Sequence, residues 1–134
     1  MRVCPKVKGR SAAAAAELAM VLPLFLLLIF GFMEASRFGM VAQVLTGAAR
    51  EGCRVAVLPG KTQSDVQSRV NSYLSGTAIP SLTPTITPGN WATATSGTPV
   101  TVTVTVPYRQ VSLFGQLFQS TTIAASATFS SERP

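Results

Sequence analysis

The chain holds few groups suited to acid, base or nucleophilic chemistry. It has no histidine, one aspartate (Asp65), four glutamates (Glu17, Glu34, Glu51, Glu132) and two cysteines (Cys4, Cys53). Without an imidazole, the many serines and threonines have no ordinary base to activate them, and none lies in a G-x-S-x-G elbow. There is no Cys/His cluster with metal-ligand spacing and no phosphate-cradling glycine loop. No catalytic, cofactor-binding or metal-binding residue is assigned, and enzymatic activity is not expected. Cys4 and Cys53 fall on opposite sides of an apolar run, so they are not expected to bridge within one chain. Cys53 reads as a small buried residue, with an intersubunit disulfide as the minority reading.

The residue with the most to say is Glu17, because of what surrounds it. Before it lie Arg2, Lys6, Lys8 and Arg10, which put +4 of the formal +6 charge into the first ten residues. After it comes Leu18 to Met33, LAMVLPLFLLLIFGFM, 16 residues without a charge. A basic stretch directly before an apolar run is a topogenic signal that keeps the N-terminus in the cytoplasm. A nucleic-acid binder would instead spread Lys and Arg over a folded face, often among aromatics, so no nucleic-acid partner is expected. At ~1.5 Å per residue the run spans about 24 Å, and Ser11 with Ala12 to Ala16 extends it to a workable membrane span that includes Glu17. Met33-Glu34-Ala35 lacks the small first residue of a signal-peptidase site, so a retained helix is expected. Glu17 then has two readings: a solvated cap at headgroup depth near Arg10, or a partner for a positive charge on a neighbouring subunit. Pro23 removes a backbone donor inside this helix and clashes with the carbonyl of Ala19, so a local kink is expected, tolerated or used in packing.

The rest of the chain must build the elements that carry this helix. From Glu34 to Leu58 the pattern is amphipathic, with Phe38, Val41, Leu45, Ala48, Gly52 and Val55 at steps of three and four. Glu34 with Arg37, and Glu51 with Arg54, are spaced to pair on its solvated surface. Pro59-Gly60 ends it. A second helix is expected over Gln63 to Ser75, capped by Thr62 or Ser64, with Val66, Val70 and Tyr73/Leu74 inward, Asp65 and Arg69 outward, and Gly76 as the stop. Thr77 to Pro99 is uncharged and rich in Thr, Ser and Pro, which reads as linker, with Thr83 to Thr87 or Trp91 to Thr95 as possible edge strands. Trp91 reads as a core plug. Val100 to Val106 alternates Val and Thr strictly, the pattern of a strand with one buried face, and pairs with Thr121 to Phe129, which turns Ile123, Ala125, Ala127 and Phe129 one way. The amphipathic helix is expected to cover the valine face. Phe114, Leu117 and Phe118 in the connection read as a lid, or as an exposed patch. The fold class is therefore α+β: a long transmembrane-to-amphipathic helix, a short second helix and a small antiparallel sheet.

The segment AAAAAELAMVLPLFLLLIFGFMEASRF resembles the opening of the TadE-like proteins of the Tad (Flp, tight-adherence) pilus. The matching positions are Glu17, Ala19, Leu22, Pro23, Gly31 and Glu34, and the likeness continues through Ala48 to Arg54 and the late strands up to Glu132. The resemblance implies a pilin-like fold and a minor pilin or pseudopilin role in assembling a Tad-type (type IVc) pilus. It implies prepilin-peptidase cleavage between Ala12 and Ala13, which makes Glu17 the fifth mature residue; Ala12 stands where the family usually has Gly. The new amino group on Ala13 would then pair with Glu17 of an adjacent subunit and set axial register. Residues 1–12 would be the leader, 13–35 the membrane helix and 36–134 the extracytoplasmic domain, divided into 36–58, 62–76, 77–99 and 100–130. The implied partners are membrane lipid, the peptidase, other pilins and the Tad assembly machinery. The implied location is the bacterial inner membrane, N-terminus inside. The rival reading is an unprocessed single-pass anchored module for adhesion or ligand binding.

Overall fold

The computed structural model describes residues 8–113 and 120–131, with side chains from residue 12 onward. Phe114, Leu117, Phe118, Glu132, Cys4 and the side chains of the basic leader lie outside the described residues. Helix α1 is Lys8–Ala56, helix α2 is Gln63–Leu74, and strands β1 (Thr85–Thr87), β2 (Pro99–Pro107) and β3 (Thr122–Ser130) form one antiparallel meander in the order β1-β2-β3. Single 3-10 turns sit at Trp91–Thr93 and Tyr108–Gln110. The architecture is α+β, with the long helix, the short helix and the small sheet that the patterning predicts.

The chain divides into two units, residues 1–35 and 36–134. In the first, α1 carries the apolar run with its side chains exposed, and the assigned helix continues through Pro23. In the second, residues 36–56 of α1, α2 and the sheet share one core. Its centre is the valine face of β2, where Val100, Val102, Val104 and Val106 are all fully buried. Burying each such side chain contributes about 1.5–3 kcal/mol before entropy is counted. The helical stripe against it is Val41, Leu45, Ala48, Ala49, Gly52, Cys53 and Ala56. This corrects the expected stripe at both ends. Phe38 is 45% exposed, with its ring edge-to-face on Tyr108 at 5.6 Å, and Val55 is only partly buried. At 3.6 residues per turn the contact face drifts, and small residues let the helix lie close to the strand.

Helix α2 begins where its cap predicts. Thr62 accepts from the Asp65 backbone N–H, and the Asp65 carboxylate accepts from the Thr62 N–H, a reciprocal capping box. Its buried stripe is Val66, Val70 and Leu74, while Tyr73 stays 46% exposed. Ser75 is its C-cap, and Gly76 follows at φ +86°.

The 77–99 stretch is more than a linker. Leu82, Pro84, Ile86 and Trp91 are buried, and Ile86 faces Val102 across the β1–β2 ladder. Asn71 and Gln63 of α2 bind its backbone, Asn71 Oδ1 accepting from the Leu82 N–H and Gln63 Nε2 donating to the Pro84 carbonyl. Of the two candidate strands, the first forms; Trp91 opens a 3-10 turn instead, its ring in the core as expected. On β3 only Ile123 is buried. Ala125 and Ala127 are partly buried and Phe129 is 42% exposed, so the expected inward face is covered at one end only.

Candidate assembly site on the N-terminal helix

Ala12, Ala13 and Glu17 lie within α1 and are exposed. Ala13 and Glu17 are four residues apart, so one helical turn brings them onto one face. From Leu18 to Met33 every residue is exposed, including Met20 at 82% and Leu27 at 70%. Apolar side chains exposed all round a helix are ill matched to water and well matched to lipid or to other apolar helices. Residues 12–35, at ~1.5 Å each, cover roughly 36 Å, enough to cross a ~30 Å hydrocarbon layer. Pro23 sits mid-run and deprives the Ala19 carbonyl of its i+4 donor. Glu34 departs from its expected place on a solvated surface, being only 8% exposed.

In the second unit the charged groups organise differently from the spacing-based pairs. Glu51 receives Arg69 Nη2 at 2.8 Å and Nε at 3.2 Å, which ties α1 to α2. That hydrogen bond holds the Glu51 carboxyl below its ordinary range, with smaller help from the charges of Arg69 and Arg54. Asp65 is likewise held low by its bonds to the Thr62 backbone and hydroxyl, with Lys61 adding a little. It caps α2 where spacing alone had set it beside Arg69. Arg37 Nε donates to the Val111 carbonyl in the β2–β3 connection. No sequence signal announces the Arg69–Glu51 or Arg37–Val111 contacts, because their partners are 18 and 74 residues apart.

Cys53 is fully buried, and its thiol donates to the Val100 carbonyl at 3.2 Å. Burial pushes its pKa up, against small opposing contributions from backbone hydrogen bonds. A thiol in that setting is a packing group. Among the described residues no three His, Cys, Asp or Glu side chains are placed to share a metal ion. Among the described residues, surface clefts border the core, and two of them bear on the charged groups. One, about 310 Å³, is walled by Met40, Val41, Val44, Ile79 and Val111 with Arg37 at its side; the other, about 480 Å³ and open, runs past Glu51, Arg54, Lys61, Asp65 and Arg69. The residues that the sequence singles out for assembly are thus all on the helix of the first unit, displayed outward along an apolar surface.

The segment holding those residues also matches a family model. The family model described as TadE-like protein matches residues 12–54. No curated protein and no solved structure matches the chain. The long apolar helix and this match fit a membrane-anchored protein. Residues 12–54, from Ala12 past Glu17, Pro23 and Glu34 to Arg54, are thus similar to the TadE-like family over about a third of the chain.

Proposed function

We propose that the chain is a minor pilin or pseudopilin of a Tad-type (type IVc) pilus, packed into its assembly through the N-terminal helix. Its role is structural. The observation that carries this reading is the position of Glu17, one turn beyond Ala13 and at the head of an apolar stretch whose every side chain is exposed. A carboxylate at the edge of lipid costs up to about 2.5–3.5 kcal/mol as it moves toward the bilayer centre, so a fixed cation opposite it is a strong register device.

In this reading a prepilin peptidase cuts between Ala12 and Ala13, and the ammonium freed on Ala13 meets Glu17 of the next subunit. The precursor's +6 then describes its insertion signal. Removing twelve residues leaves 122, with seven basic and five acidic groups and a net charge of +2. The chain sits in the cytoplasmic membrane with residue 1 inside and the 36–134 unit outside. Its partners are the peptidase, other pilins and the Tad machinery. Pro23 supplies a bend that neighbouring helices accommodate.

N-terminal sequencing of the membrane-extracted protein tests the processing step, and a start at Ala13 is the expected result. Glu17→Val is expected to leave membrane insertion intact and to abolish piliation, scored by counting fibres on cells. An intact leader together with normal piliation in Glu17→Val would instead favour an unprocessed anchored module acting alone.

A further inference from the structure

The sheet of the 36–134 unit is closed on one side and open on the other. On the β1 side the ladder is three residues long and bracketed by Pro84 and Pro88, neither of which has an N–H to offer a further strand. On the β3 side nothing comparable guards the edge among the described residues. β3 is nine residues long and pairs with β2 in unbroken register from Pro99↔Ser130 to Pro107↔Thr122. From Ser120 to Ser131 there is no charge, no proline and no glycine. Soluble proteins ordinarily blunt such edges with Lys, Pro, bulges or short strands, and an unguarded edge is a template for another strand.

The direction of the free groups follows from the ladder. Tyr108 N–H bonds the Thr121 carbonyl at one end, and Ser131 N–H bonds the Thr98 carbonyl at the other. Both β3-side residues are odd-numbered, and groups in an antiparallel ladder alternate in direction, so odd residues bond β2. Thr122, Ala124, Ser126, Thr128 and Ser130 therefore aim their N–H and C=O groups at the open edge, and all five are exposed. The inner face is incomplete at the same place, with Ile123 buried, Ala125 and Ala127 partly covered, and Phe129 42% exposed.

We infer that this edge is occupied by β3 of a second copy of the chain, in a two-fold antiparallel pairing centred on Ser126. That register overlaps all nine residues. It sets every outward-facing residue against another: Thr122 against Ser130 of the partner subunit, Ala124 against Thr128 of the partner subunit, and Ser126 against itself. The pairing makes about ten new backbone hydrogen bonds. On the inner face it lays Ile123 of the partner subunit over Phe129, and Ala127 of the partner subunit beside Ala125, so the apolar face left bare in one copy is covered by the other. Among the described residues no other strand matches the edge, since the β1 edge offers three residues between prolines. The absence of charge along β3 leaves nothing to oppose self-pairing. The contact is isologous and closes on itself, so it stops at two copies. It concerns the second unit alone and does not depend on how the N-terminal helix is processed.

The experiment uses the full chain with Cys4→Ser, reconstituted in phospholipid vesicles, with buried Cys53 left in place. In a hydrogen-bonded antiparallel pair the Cα atoms are about 5.5 Å apart, within disulfide range. Ser126→Cys is expected to give a reducible dimer on mild oxidation, and Thr105→Cys, exposed on the central strand, is expected to give only collisional background. In the Ser126→Cys protein, Ala124→Lys with Thr128→Lys puts like charges across the seam and is expected to lower dimer yield about tenfold. Ala124→Lys with Thr128→Glu changes the same positions but pairs opposite charges, and is expected to retain the dimer. Equal yields from Ser126→Cys and Thr105→Cys, or equal behaviour of the two charge variants, overturn the pairing. So does a mixed disulfide with a different protein in place of the dimer when the same chain is oxidised in native membranes.

Discussion

Gly52 shows how tightly the core is drawn. A Cβ built on it would stand 2.7 Å from Val70 Cγ2 and 3.3 Å from Val102 Cγ1, between α2 and β2 at once. Neither valine has room to yield, because both are fully buried. Gly52→Ala is therefore expected to destabilise the unit by about 1–3 kcal/mol despite the gain in helix propensity. Gly47 makes the informative contrast. Its Cβ would run into the Tyr73 hydroxyl, but that is the far end of a half-exposed side chain that can swing away. Gly47→Ala is expected to be close to neutral. Pulse proteolysis across a urea series, run on both full-length variants, measures the difference.

Among the elements, α1 and α2 are joined by packing and by one exposed charge pair whose titration has a definite sign. Glu51 and Asp65 both have folded pKa values held below their unfolded ones. Their contribution is present above the unfolded carboxylate range, about 4, and is lost as pH falls through the lower folded values. Both groups are only partly covered and remain screened by solvent, so the effect is small. The urea midpoint is expected to fall as pH drops below about 4, and Glu51→Gln is expected to flatten part of that slope. The elements themselves were largely legible in the sequence. The Val/Thr alternation of β2, the Thr62 cap and the Pro59-Gly60 stop each act locally, so a short window suffices to read them. The Glu51–Arg69 bridge and the burial of Leu82, Pro84 and Ile86 depend on where distant segments meet. The Pro- and Thr-rich composition of 77–99 suggests solvated linker, yet α2 side chains tie its backbone down and its apolar residues enter the core. The assembly residues were legible for a different reason: Glu17 is conspicuous beside an uncharged run, whatever the fold around it. Glu34, expected in solvent, is buried, and the Glu34/Arg37 spacing gave no sign of it.

At the scale of the whole molecule, one polypeptide is suited to two solvents. Residues 12–35 offer an apolar surface suited to lipid or like helices, while the described residues of 36–131 hold a buried core built on the β2 valines. The full chain is expected to stay with membranes through an alkaline carbonate wash and to be released by detergent, which immunoblotting of the fractions checks. The aromatic residues divide between the two units in a way that governs what light can report. The single tryptophan, Trp91, and both tyrosines, Tyr73 and Tyr108, belong to the second unit, and residues 1–35 contain neither type. Trp91 and Tyr108 are moreover buried in the core that valines and α1 build. Intrinsic fluorescence excited through these rings thus reads the folding of the 36–134 unit in the intact, lipid-embedded chain, with the anchor optically silent and no label required.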